Sequence, residues 1–205
     1  EYFQFVDGEP AKNDILDGIN SSWSRIKDGE AVGIKLESII KSFDFIDPSK
    51  SLSDLIELYK LMRKLENNSW VEIKLKELKN IIQSCAGLWI ESIASDFSAS
   101  PGDEVNIKTT LVNRSQNIFK VDKIEFPTIP SNFVVDSDLE WEKPFTLESN
   151  FKIPDSYPLS QPYWLDEEPG KGLFNVSDQQ KIGQAENASS VPVKIYLNYA
   201  GVNLD

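Results

Sequence analysis

Histidine is absent from all 205 residues, and cysteine occurs once, at Cys85. Imidazole is the side chain whose unperturbed pKa lies nearest neutrality, and it is the commonest metal ligand. Without it, Ser-His-Asp and Cys-His nucleophile systems cannot be assembled. The Cys/His sets of structural zinc and the His-containing sets of catalytic zinc fall for the same reason, and one cysteine excludes an internal disulfide. No apolar run approaches the roughly 20 residues of a membrane-spanning helix. The start, Glu1 to Asp7, lacks the basic residues and apolar stretch of a signal peptide. Internal repeats and low-complexity segments are missing too. Strong acid–base chemistry is left to carboxylates alone, and no catalytic residue, cofactor or metal site is expected.

What is present describes an ordinary globular chain: 40% hydrophobic and 26% charged residues, close to average usage. At this length roughly 70% of the unfolded surface can be buried, so folding needs no metal or disulfide. Asp and Glu outnumber Lys and Arg by 33 to 21, a net charge of −12. Such a field repels phosphate backbones and anionic lipid, and nucleic acid and membrane insertion are not expected. The chain opens without methionine and closes inside the alternation Val193 to Tyr199; both ends read as cut from a longer protein.

Periodicity predicts two regions, helical over residues 1–87 and β over 88–205. Four helices are expected. The first starts at an Asn13 or Asp14 cap, with Ile15, Ile19, Trp23 and Ile26 spaced by four or three. After the break Lys27-Asp28-Gly29-Glu30, a short second helix carries Val32, Leu36, Ile39, Ile40 and Phe43, and stops near Asp47-Pro48. A third begins after Ser51, with Asp54 completing a weak capping box, and presents Leu52, Leu55, Ile56, Tyr59, Met62 and Leu65. The fourth runs Val71, Leu75, Leu78, Ile82, Cys85 and Trp89, ending near Gly87. Beyond it Val105, Ile107, Thr109 and Leu111 alternate at period two. Further strands are expected over 118–126, 145–153, 173–176 and 191–199. Prolines 127, 130, 144, 154, 158, 162 and 169 suit strand ends and loops. The fold class is therefore α+β, an N-terminal helical region followed by an antiparallel immunoglobulin-like β-sandwich whose C-terminal end is truncated.

Three groups of residues are candidates for function. Cys85 lies on an apolar stripe with no basic residue within one turn, and reads as a buried structural thiol. Asp136 and Asp138, and the run Asp166-Glu167-Glu168, are loop carboxylates; neither follows the 12-residue calcium pattern, and solvated charge is the plain reading. A pair of carboxylates of glycosidase type would come together only through the fold. Trp141, Tyr163 and Trp164, with Tyr157 nearby, form the third group. Flat amphipathic rings beside polar groups hold sugars in many sandwich modules, whereas rings that fill the inter-sheet core or pin a loop onto it are the competing reading.

Four ordered segments carry a resemblance: Cys85-Ala86-Gly87-Leu88-Trp89-Ile90-Glu91, Ser100-Pro101-Gly102-Asp103-Glu104-Val105, Val112-Asn113-Arg114-Ser115 and Ser160-Gln161-Pro162-Tyr163-Trp164-Leu165. Upstream, Phe5 to Ile26 joins them, with Asp17-Gly18-Ile19-Asn20 and Trp23-Ser24-Arg25-Ile26; downstream, Gly172-Leu173-Phe174, Val176, Asp178, Gly183 and Glu186 do. The set resembles the region that follows the catalytic domain in long bacterial PIG-L/LmbE-family de-N-acetylases. That family's zinc-dependent domain uses His-Pro-Asp-Asp and a later His-x-x-His, neither of which this chain contains. The resemblance implies a non-catalytic accessory or scaffolding segment, partnered by the deacetylase domain of its own parent chain, which would act on N-acetylated amino-sugar conjugates. It also implies a periplasmic or extracellular location. The alternative is a carbohydrate-binding sandwich using Trp141, Tyr163 and Trp164, with a glycan as partner.

Overall fold

The computed structural model describes residues 6, 7, 10–129 and 131–204. Glu1 to Phe3, Phe5 and Pro130, each part of a reading above, lie outside them. The chain divides between Cys85 and Ala86 into two units. Among the described residues three α-helices precede two antiparallel sheets, an α+β protein.

The helical unit is built from α1 (Glu30–Ser42), α2 (Leu52–Met62) and α3 (Ser69–Cys85). Helix α2 is its centre. Leu52, Leu55, Ile56, Leu58, Tyr59 and Met62 are all buried, while α1 contributes Val32 and Ile39 and α3 contributes Val71, Leu78 and Ile82. Each such aliphatic or aromatic side chain contributes roughly 1.5–3 kcal/mol by leaving water, which is why helices of this length hold. Lys35 of α1 fastens α1 to α2 by reaching Asp54 at 2.7 Å and Glu57 at 2.5 Å. Helix α3 is capped by Asn68, whose Oδ1 accepts the Val71 N–H at 3.0 Å.

Helix α2 starts differently from expectation. Its turn of entry, Pro48–Ser51, is a 3₁₀ segment, and Ser51 makes no capping hydrogen bond.

The first expected helix does not form. Residues 15–18 are turns, Trp23–Arg25 is a single 3₁₀ turn, and Ile15 is 77% exposed. Short polar side chains take the backbone donors a helix would need: the Asp17 carboxylate accepts the N–H groups of Lys12 and Asn13, Asp14 that of Leu16, and Asn20 that of Ser22. Such local bonds compete with helix formation, and Gly18 at φ +83° breaks the turn geometry further.

The second unit holds β1 (Leu88–Ala94), β2 (Glu104–Asn113), β3 (Phe119–Phe126), β4 (Ser131–Leu139), β5 (Pro144–Lys152), β6 (Lys194–Tyr199) and β7 (Val202–Leu204). One sheet has the order β1-β2-β5, the other β4-β3-β6-β7, and every pairing between strands is antiparallel. Period two is clearest in β2, where Val105, Ile107, Thr109, Leu111 and Asn113 are buried and their neighbours are not. Facing residues come from β3: Phe119, Val121, Ile124 and Phe126. The sheets meet where the rings of Phe126 and Phe151 lie 5.2 Å apart.

Buried Asn113 ties strand ends together. Its Nδ2 donates to the carbonyls of Asn117 and Leu139, and its Oδ1 accepts from the N–H and hydroxyl of Ser115.

Several elements differ from the sequence expectation. Trp89, expected to extend the last helix, lies in β1, because α3 ends at Cys85 and Gly87 at φ +61° turns the chain. Asp136 and Asp138, expected in a loop, occupy outward positions of β4. The expected strand at 173–176 is loop. There Asn175 donates to the Glu168 carbonyl, Ser177 to the Glu167 carboxylate and Gly170 N–H to the Leu173 carbonyl, folding the segment back on itself.

Candidate functional site

Residues 153–193 connect β5 to β6 and hold most of the aromatic and acidic residues singled out from the sequence. This connection contains one 3₁₀ turn, Tyr163–Leu165, and is otherwise held by side chains. The Tyr157 hydroxyl donates to the Ser190 carbonyl at 2.5 Å, and the Tyr163 hydroxyl to the Gln184 carbonyl at 3.1 Å. Asn187 works in both directions, accepting the Tyr163 N–H at 2.9 Å and donating to the Gln161 carbonyl at 2.7 Å. Proline at 154, 158 and 162 limits the backbone between these ties.

The three candidate sugar-contacting rings lie on two different segments. Tyr163 and Trp164 are neighbours in the 3₁₀ turn, half-buried, with ring planes at 85° and centroids 5.0 Å apart. Trp141 sits between β4 and β5, bridged to Asn113 at the end of β2, and is 57% exposed.

A groove of about 530 Å³ lies elsewhere on the same unit. Val105, Ile107 and Ile153, all buried, form its floor, and Phe97, Tyr157 and Leu159 stand along it. Tyr157 is thus the aromatic member of the 157–165 segment that lines this groove. Two serine hydroxyls on its wall are engaged internally: Ser92 with Thr109 at 2.9 Å, Ser189 with the Val191 carbonyl at 3.1 Å. Among the described residues Asp96 is the one carboxylate lining it. Phe97 and Leu159 were not singled out from the sequence; the available signal was an exposed apolar residue inside the polar turn-rich stretches around 95–103 and 154–162.

Three of the five acidic candidates, Asp136, Asp166 and Glu167, are engaged by neighbours. Asp136 meets Lys120 at 2.5 Å and Asp166 meets Lys181 at 3.6 Å, while Glu167 accepts both the N–H and the hydroxyl of Ser177. Asp136 holds the Lys120 ammonium above its ordinary pKa by hydrogen bonding and charge. No group of three or more His, Cys, Asp or Glu residues is placed to hold a metal ion among the described residues.

Cys85 closes α3, half-buried, and desolvation pushes its thiol pKa up. A raised pKa keeps it protonated and a poor nucleophile at neutral pH. No described helix is long and apolar enough to cross a membrane.

These features define an α+β chain in which a three-helix unit precedes a pair of antiparallel sheets. Comparisons with family models, with curated proteins and with solved structures returned no match.

Proposed function

We propose that the chain is a non-catalytic accessory segment of a PIG-L/LmbE-like de-N-acetylase, in which the helical and sheet units position or support the catalytic domain of the same parent chain. The observation that carries this reading is the structural employment of its polar groups. With imidazole missing, carboxylates are the remaining acid–base groups, and three of the five singled out, Asp136, Asp166 and Glu167, hold a lysine or a backbone N–H in place. Tyr157 and Tyr163 likewise spend their hydroxyls on the connection between β5 and β6.

The sheet unit fits an immunoglobulin-like sandwich. Its orders β1-β2-β5 and β4-β3-β6-β7 correspond to strands A-B-E opposite C′-C-F-G, an arrangement common in modules that space and orient neighbouring domains. Export to the periplasm or beyond belongs to the same proposal and follows from the resemblance alone.

The purified chain, supplied with zinc and an N-acetylglucosamine conjugate, is expected to release no acetate above buffer. Turnover lost on replacing a carboxylate of this chain would overturn the proposal. A second reading draws on the exposure of Trp141 and the perpendicular Tyr163–Trp164 pair: a glycan-binding sheet unit. Glycan-array binding that disappears in the Trp141→Ala, Tyr163→Ala, Trp164→Ala triple variant would install it in place of the scaffolding role.

A further inference from the structure

Helices α1, α2 and α3 leave a recess of about 260 Å³ between them. Its floor is Ile39, Leu55, Leu58 and Leu78, none more than 5% exposed, so it reaches the core of the helical unit and is not a flat surface patch. Ile40, Phe45 and Ile81, all solvent-exposed, also line it and mark its mouth.

Ser51 is the polar exception on this wall besides the Cys85 thiol, and it is only 5% exposed. A serine at this position before a helix ordinarily accepts a hydrogen bond from the first turn. Ser51 makes no such bond, and it lines the recess. A serine hydroxyl on the wall of an otherwise apolar recess can both donate to and accept from a polar group bound there.

We propose that this recess binds a medium-length aliphatic chain bearing one neutral hydrogen-bonding group, a primary alcohol being the simplest form, with the polar end on Ser51 and the chain on the leucine floor. The volume sets the length: at ~30 Å³ for a water-sized group it accommodates on the order of nine non-hydrogen atoms. The wall sets the charge. No lysine or arginine lines the recess, so a carboxylate placed there would be desolvated without a counter-ion. This site lies wholly in the helical unit and stands whether or not the accessory role does.

The test is a titration of the full chain with 1-heptanol, followed by amide chemical shifts. Saturable shifts are expected at Ser51, Leu55, Leu58 and Cys85, with heptanoate binding at least about tenfold more weakly. Ser51→Ala should weaken 1-heptanol about fivefold and leave toluene, which offers no hydroxyl, unaffected. Ile81→Trp, at the exposed mouth, should abolish binding and the protection of Cys85 from iodoacetamide that the alcohol confers; Ile40→Trp serves if Ile81→Trp loses helical circular dichroism. Shifts that stay linear in alcohol concentration, or binding unchanged in a folded mouth variant, would overturn the proposal. So would equal affinity for 1-heptanol and heptanoate.

Discussion

Asp44 shows what one half-buried carboxylate can reveal. The Lys50 ammonium at 2.7 Å, followed by the N–H groups of Ile46 and Asp47, lowers its pKa from 3.8 to about 2. Its folded pKa lies below its unfolded one, so the pairing stabilises fully above about pH 4 and is lost as pH falls through about 2. A carboxylate NMR titration should place the Asp44 midpoint near 2, and Lys50→Ala should raise it toward 3.8 without reaching it, since both N–H donors remain. Two buried polar residues make an opposite pair. Asn113 satisfies four partners, and Asn113→Ala should lower unfolding stability in urea by about 2–4 kcal/mol, because the Leu139 carbonyl loses a buried donor. Ser149 is 1% exposed and its hydroxyl has no partner among the described residues. Ser149→Ala should be neutral or stabilise by up to about 1 kcal/mol in the same assay.

Among the elements, the connection 153–193 is held more by side chains than by secondary structure, and its ties can be cut one at a time. Asn187→Ala should expose the Tyr163 amide to hydrogen exchange by an order of magnitude or more while leaving the urea midpoint nearly unchanged, because Asn187 is exposed and binds only within this segment. This connection also marks where the sequence stopped being legible. Long apolar stripes were readable: Leu52 to Met62 gave α2, Val71 to Cys85 gave α3, and the alternation from Val105 to Leu111 gave β2. The stripe Ile15, Ile19, Trp23, Ile26 had the same spacing and failed, since periodicity carries no account of Asp17 and Asn20 competing for backbone donors. Strand β4 was hidden for the converse reason. Its outward acids Asp136 and Asp138 imitate a loop until Lys120 on β3 is seen beside Asp136. The recess around Ser51 was out of reach, because a missing hydrogen bond has no signature in residue order.

For the molecule as a whole, the charge of −12 sets a direction for salt dependence. Excess like charge repels itself in the compact state, and exposed ion pairs such as Lys50–Asp44 oppose that only weakly, at 0–1 kcal/mol each for typical surface pairs. Raising sodium chloride from about 10 to about 150 mM, which shortens the screening length from roughly 30 to 8 Å, should therefore raise the melting temperature; a fall would mean the ion pairs dominate. Strand β6 brings in time. Its bonds to β3, among them the Tyr196 hydroxyl on Glu125 at 2.6 Å, join residues 71 positions apart. Closing so long a loop costs entropy before any contact repays it. Hairpins β1–β2 and β3–β4 can assemble locally, whereas β6 must arrive afterwards, on the native side of the rate-limiting barrier. In stopped-flow kinetics Leu197→Ala should accelerate unfolding and leave the refolding rate almost unaltered.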